Sequence, residues 1–169
     1  LPVPFRSLWI ESMHEEVQNL LTSGTIEPVP RSSMESDAML LDGKWIFKTK
    51  SDGRFKSRFV CRGFNERATP AQTFSPTADR LSLRILAIIA LTLGWHTLVF
   101  DVQHAFLWAE IQDAIYLKPP VGIDVPAGHI WRLHYSLYGL KTASRRFYDL
   151  MHRILTTFGL TRSSFDPAV

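Results

Sequence analysis

The chain has 169 residues, 46% of them hydrophobic and 21% charged, with a formal net charge of +3, so it can bury a sizeable core and is not a disordered segment. The longest apolar run, Ile85 to Leu91, falls far short of the roughly 20 residues a membrane helix needs, and no basic, apolar and small-residue leader marks secretion; the expectation is a soluble, intracellular chain with no membrane partner. The single cysteine, Cys61, excludes an internal disulfide and a cysteine-held metal.

In chain order, Ser7 to Leu21 reads as an amphipathic helix with Leu8, Trp9, Met13, Val17, Leu20 and Leu21 on or near one side and Gly24 as its stop. Pro28 and Pro30 predict an extended linker. Trp45 to Lys50 and Arg54 to Cys61 predict a hairpin, and a three-residue loop Ser51-Asp52-Gly53 sets its register with glycine at the left-handed position. Trp45 then faces Phe59 and Lys48 faces Lys56, which gives one aromatic face and one basic face with Lys48, Lys50, Arg54, Lys56 and Arg58. Like charges opposite one another destabilise a sheet, so this face calls for an anionic ligand; a solvated hairpin is the plainer reading.

The stretch from Lys44 to Arg67 carries eight basic residues against Asp52 and Glu66, and the rest of the chain is net acidic by three. Such a local basic face is the electrostatic footprint expected for phosphate ligands. Asp79 to Leu93 predicts a second helix, capped by Asp79 and Gly94 and apolar nearly all round from Ile85 onward, hence central to the core. Thr97 to Val102 predicts a short buried strand ending at Asp101, and Ala105 to Ala109 a return to helix. Pro119, Pro120, Gly122, Pro126 and Gly128 mark a loop before a strand at Ile130 to Leu133, and Thr142 to Phe158 predicts a last helix ending at Gly159. Strands interleaved with helices predict an α+β fold with helices packed on a largely antiparallel sheet.

A carboxylate at the end of a buried strand is costly unless a cation or hydrogen-bond donors neutralise it, and Asp101 in Val99-Phe100-Asp101-Val102-Gln103-His104-Ala105-Phe106-Leu107 has that placement. Together with Lys56-Ser57-Arg58-Phe59-Val60-Cys61-Arg62-Gly63-Phe64, Thr73-Phe74-Ser75-Pro76, Ile115-Tyr116-Leu117-Lys118-Pro119-Pro120 and Ser136-Leu137-Tyr138-Gly139-Leu140-Lys141, in this order, it gives the chain from about Trp9 to Pro167 a resemblance to the reverse transcriptase of copia-type retrotransposons.

The resemblance implies one right-hand polymerase domain over 1–169, with about 1–96 mainly fingers and about 97–169 partial palm with some fingers elements. It implies RNA-templated DNA synthesis from dNTPs with two Mg2+ ions, which are hard cations that take oxygen ligands. Asp101 is then the catalytic metal ligand with the Val102 carbonyl beside it, Phe106 excludes a ribose 2′-hydroxyl with Ala105 leaving room for the sugar, and Arg58 grips the triphosphate with Lys50 as second contact. Thr142 stands where relatives have a glutamine at the nucleotide, and Lys48, Lys56, Arg62, Lys141 and Arg145 are the implied nucleic-acid contacts. The implied partners are template-primer, dNTP and the rest of a polyprotein, in cytoplasmic particles and the nucleus.

The family's hairpin with two consecutive aspartates has no counterpart here, and His104, Ala109, Thr142, Ser144 and Phe147 also depart from the usual residues. One carboxylate of three remains, so the expectation is a divergent fragment, inactive alone as a polymerase. The alternatives are a non-catalytic nucleic-acid-binding remnant and an inert domain kept only for its fold.

Overall fold

The computed structural model describes residues 5–169, so the first four residues of the expected single domain lie outside it. Helix α1 (Arg6–Thr22) buries Trp9, Ser12, Met13, Glu16, Val17 and Leu20, a stripe repeating every three to four residues, while Leu8 stays exposed. It stops where the Ser23 and Gly24 N–H groups close on the Asn19 and Leu21 carbonyls and Gly24 takes φ +69°.

Strand β1 (Ile26–Pro30) corrects the expected linker: it pairs antiparallel with β6 (His129–Leu133), Pro28 opposite Trp131 and Pro30 opposite His129. Two prolines are tolerated because β1 is an edge strand and both share one parity. The Thr25 carbonyl and Arg31 N–H, of the other parity, bond towards β6, so the missing N–H groups face outward. Strands β2 (Met39–Leu41) and β5 (Ile115–Leu117) complete the sheet in the order β1-β6-β5-β2, with β2 and β5 parallel and the other neighbours antiparallel. Sequence patterning misses both because each is three residues long. This sheet joins elements from both sides of residue 96.

Strands β3 (Gly43–Thr49) and β4 (Phe55–Cys61) form a separate hairpin. The outer edge of β4 is covered by side chains of α1: the Ser57 N–H donates to Ser12 Oγ (2.7 Å) and the Phe59 N–H to Glu16 Oε1 (3.3 Å). Four helical residues rise about 6 Å and two strand residues about 6.6 Å, so this spacing lets a helix stand in for a missing strand. Leu20, Ile26, Leu41, Phe59, Ile115, Leu117, Trp131, Leu133 and Leu137 make the core between α1, the hairpin and the sheet.

Helix α2 (Pro70–Thr73) is one turn, and α3 (Arg80–Leu93) has the expected caps: Asp79 accepts from the Leu81 N–H at 2.6 Å, and Gly94 is left-handed at φ +65°. Its expected place in the core is overturned. Leu81, Leu83, Ile88, Leu91 and Leu93 are exposed, Leu91 by 84%, and only Ala90 of this helix is buried. The expected buried strand at Thr97 to Val102 is likewise absent. The segment is irregular, Val99 is 96% exposed, and among the described residues its backbone N–H groups have no backbone partner. Both corrections share a cause: an apolar helix and an extended segment need a second layer and a neighbouring strand, whereas α3 is held mainly at its start, where the Asp79 N–H donates to Asp166 Oδ2 at 2.8 Å, and residues 97–102 have no strand partner among the described residues. Residues Ala105–Trp108 form a 3-10 turn, and α4 (Ala143–Thr157) fills the predicted last helix. No helix among the described residues is long and apolar enough to cross a membrane.

Candidate functional site

The hairpin has the register read from its loop. Trp45 faces Phe59, Lys48 faces Lys56, and Gly53 closes the turn at φ +82° with its N–H on the Lys50 carbonyl. Its aromatic face carries Trp45, Phe47, Phe55 and Phe59; Trp9 of α1 packs edge-on to Phe47 and Phe55 with ring centroids 5.1 and 4.6 Å away, and Phe59 meets Trp131 at 5.8 Å. The basic face presents Lys48, Lys56 and Arg58, none of which forms a salt bridge among the described residues. Arg54 is different: its guanidinium pairs with Asp52 at 2.6 Å, holding that carboxyl below its ordinary value.

Tyr138 links this face to the segment after Asp101. The Arg58 guanidinium lies 5.2 Å from the Tyr138 ring centroid, and the Phe106 ring meets the same ring edge-on at 5.6 Å. Burial raises the Tyr138 phenol, Arg58 opposes this, and the carboxylates of Glu16 and Asp101 add to it. Asp101 is exposed, and Val102 and Ala105 are half-buried. Between them His104 holds a left-handed φ of +53°, a costly conformation for a residue with a β-carbon. A polar cleft of about 170 Å³ brings His104 together with Lys50, Arg54 and Lys56 of the hairpin and Glu15 and Glu16 of α1. Burial raises Glu16, against the pull of the Phe59 N–H, Lys56 and Arg58. A larger cavity of about 540 Å³, with Phe106 in its wall, opens between α4 and residues 160–169 with a mainly apolar lining.

The strings 61–66 and 138–142 lock together. The Cys61 N–H donates to the Tyr138 carbonyl at 2.7 Å; a Cβ on Gly63 would overlap the Gly139 carbonyl oxygen, and one on Gly139, at φ +90°, the Cys61 carbonyl. Glu66, buried, accepts from the Lys141 N–H and from the Thr142 hydroxyl at 2.6 Å, and Lys141 Nζ donates to the Phe64 and Glu66 carbonyls at 2.9 and 3.0 Å. Thr142 is thus buried against Glu66, and Lys141, itself exposed, is tied to the same segment by its backbone N–H and Nζ. Arg145 is paired with Asp149 at 2.9 Å, and Arg62 is exposed. The structure therefore brings Arg58 and Phe106 together on the Tyr138 ring, with Ala105 next to Phe106 in sequence and Asp101 exposed five residues before it. Lys50 and Lys56 meet at the cleft, and Thr142, Lys141 and Arg145 lie in the supporting layer.

Sequence reasoning passed over three of these residues. Tyr138 is one residue of the Ser136–Lys141 motif with no charge or metal-binding chemistry to single it out, and Glu16 is an acidic residue one turn after Ser12 on an otherwise apolar helix face. Glu66 entered only as an offset in the charge count. The spacing of Ser12 and Glu16 was a usable signal; nothing local marks Glu66 or Tyr138.

Two magnesium ions require several oxygen ligands, whereas no three histidine, cysteine, aspartate or glutamate side chains gather among the described residues. Asp101 with its neighbours does not amount to a complete metal centre among the described residues.

Residues 32–167 match the family model of reverse transcriptase (RNA-dependent DNA polymerase). The chain is 33% identical over 171 residues to a retrovirus-related Pol polyprotein from transposon RE1 of Arabidopsis thaliana, covering 95% of this chain and 12% of the relative. It is 30% identical over 175 residues to that of transposon TNT 1-94 of Nicotiana tabacum, covering 98% and 13%. With the transposon Ty1-BL Gag-Pol polyprotein of Saccharomyces cerevisiae it shares 30% over 152 residues, 87% of this chain and 8% of the relative. No solved structure matches. The chain spans about an eighth of the length of the plant relatives, and over that span it belongs to the reverse transcriptase family, as a fragment of the copia type.

Proposed function

We propose that this chain is the nucleotide-gripping portion of a copia-type reverse transcriptase, its catalytic centre completed by other parts of a polyprotein. One observation carries the reading: Arg58, with no carboxylate partner among the described residues, shares the Tyr138 ring with Phe106. A free guanidinium can bind phosphate oxygens bidentately, and a ring close by can bar a 2′-hydroxyl.

In this reading Arg58 and Lys50 take the triphosphate, Phe106 and Ala105 flank the sugar, and Thr142 serves from behind through Glu66. Lys48, Lys56 and Arg62 add salt-sensitive affinity for an RNA or DNA template-primer, and Lys141 and Arg145 brace the layer beneath. Residues up to about 96 serve as fingers and later ones as the beginning of the palm, within one domain. Asp101 and the Val102 carbonyl would contribute one edge of the Mg2+ site, and the uncovered faces of α3 and residues 97–102 would pack against the remaining polyprotein. The setting is intracellular, in cytoplasmic particles and the nucleus.

Equilibrium binding of a fluorescent dNTP tests the reading. The chain should bind, and Arg58→Ala should weaken binding about tenfold or more; equal binding by both proteins refutes it. With dNTPs, magnesium and a primed RNA template the isolated chain should give no extension, and measurable templated extension would show that the centre is complete.

A second reading, a non-catalytic nucleic-acid-binding remnant, is favoured by the facing Lys48 and Lys56. It requires salt-dependent binding of primed template, weakened by Lys48→Ala, without measurable affinity for a free dNTP.

A further inference from the structure

We infer that Tyr138 is a positioning residue of the nucleotide site: its ring seats both the Arg58 guanidinium and the Phe106 side chain, and so sets the span between the triphosphate grip and the sugar gate. The inference rests on the nucleotide reading above and adds the element that holds its two halves in register.

The two residues come from separate parts of the chain. Arg58 lies on β4 of the hairpin, and Phe106 lies in the 3-10 turn after Asp101. The guanidinium is 5.2 Å from the Tyr138 ring centroid, inside the range of cation–π attraction. Phe106 meets that ring at 5.6 Å and 65°, and Phe147 of α4 lies behind it, 6.4 Å from the Phe106 ring. An exposed arginine without a carboxylate partner would otherwise sample many rotamers, and an aromatic face beneath it narrows them before any ligand arrives.

The platform is itself anchored. The Tyr138 carbonyl accepts the Cys61 N–H three residues beyond Arg58, and the Gly139 backbone lies against the Cys61 carbonyl too closely for a β-carbon. Sliding of the 138–142 segment along β4 would break this bond and the Glu66 contacts to Lys141 and Thr142. Tyr138 is half-buried, and its phenol, raised by burial, stays neutral at physiological pH. The ring is a neutral π face between charged neighbours.

The test compares Tyr138→Phe, which keeps the π face, with Tyr138→Leu, which keeps apolar bulk without it. Thermal melts of both against the parent chain come first. Binding is then measured for inorganic tripolyphosphate, dUTP and UTP. The Phe variant should bind all three like the parent. The Leu variant should lose about threefold to thirtyfold in affinity for tripolyphosphate and dUTP, and its preference for dUTP over UTP should narrow. A role in stability alone would not change that preference. Independently, the Arg58 Nε–H proton of the parent should resonate upfield of an exposed arginine through the ring current, and the shift should vanish in the Leu variant. If the Leu variant does not fold, the parent shift decides: an ordinary exposed value overturns the inference. Unchanged affinity, preference and shift in a folded Leu variant overturn the inference and leave the nucleotide reading standing. A parent chain that binds none of the three probes overturns both.

Discussion

In the central sheet Ile115, Leu117 and Leu133 lose almost all their surface, whereas in α3 Leu81, Ile88 and Leu91, no less apolar, stand in the open. The sheet residues lie on strands whose backbone groups are paired on both sides and whose faces meet α1 and the hairpin. Residues 97–102 and α3 have no such complement among the described residues. Apolar composition states that a segment gains from burial, and a partner of matching shape and hydrogen bonding decides whether that gain is realised. The same contrast holds for charge: Glu66 is buried because Lys141 and Thr142 donate to it, while Asp101, given no donor among the described residues, remains exposed.

Substitutions on the two sides should separate widely in effect. Trp131→Ala, in the sheet core, should cost about 3–5 kcal/mol in urea unfolding, enough to prevent folding of a marginal chain. Glu66→Ala should cost about 1–3 kcal/mol by the same measurement, because it leaves the Lys141 N–H and the Thr142 hydroxyl buried without an acceptor. A loss as small as that of an exposed substitution would mean that water replaces the carboxylate and that the lock contributes little.

Cys61 sharpens the comparison by reactivity. Burial, with Glu66 adding to it, pushes its thiol up to about 12, so the thiolate is scarce at neutral pH and iodoacetamide should alkylate the folded chain far more slowly than the urea-unfolded chain. Glu16 sharpens it by pH. Its raised carboxyl binds a proton more tightly in the folded than in the unfolded chain. The stability it contributes is therefore full below the ordinary value of 4.5 and is lost as pH rises through the raised one. Glu16→Gln keeps an acceptor for the Phe59 N–H, and its melting temperature should gain on the parent as pH climbs from about 4 to 7. The smallest effect belongs to the open side: Leu91→Lys should change unfolding free energy by no more than about 0.5 kcal/mol. A loss comparable to Trp131→Ala would break the comparison, because it would mean that α3 is covered in solution.

Much of the architecture was legible in the chain because local rules govern it. The hairpin register followed from Ser51-Asp52-Gly53, the ends of α3 from Asp79 and Gly94, and the face of α1 from residues 9, 13, 17 and 20. The motif strings identified the family, and the family model agrees. Strands β2 and β5 were not legible, since three residues carry too little pattern, and Pro28 and Pro30 suggested a linker because proline penalties ignore which edge is free. Of the site, Arg58, Asp101 and Phe106 were named from the sequence, but Tyr138 as their common neighbour was not: its contacts span 80 and 32 residues of chain.

The sequence by itself determined where helices and the hairpin begin and end, which residues have the chemistry to meet phosphate, and to which family the chain belongs, because capping, turn geometry and motif order act over a few residues. Only the tertiary structure decided that α3 lies uncovered, that Thr142 and Lys141 are occupied by Glu66, and that Arg58 and Phe106 share one ring. Burial and hydrogen-bond satisfaction depend on what the rest of the chain brings alongside, and no local pattern encodes that.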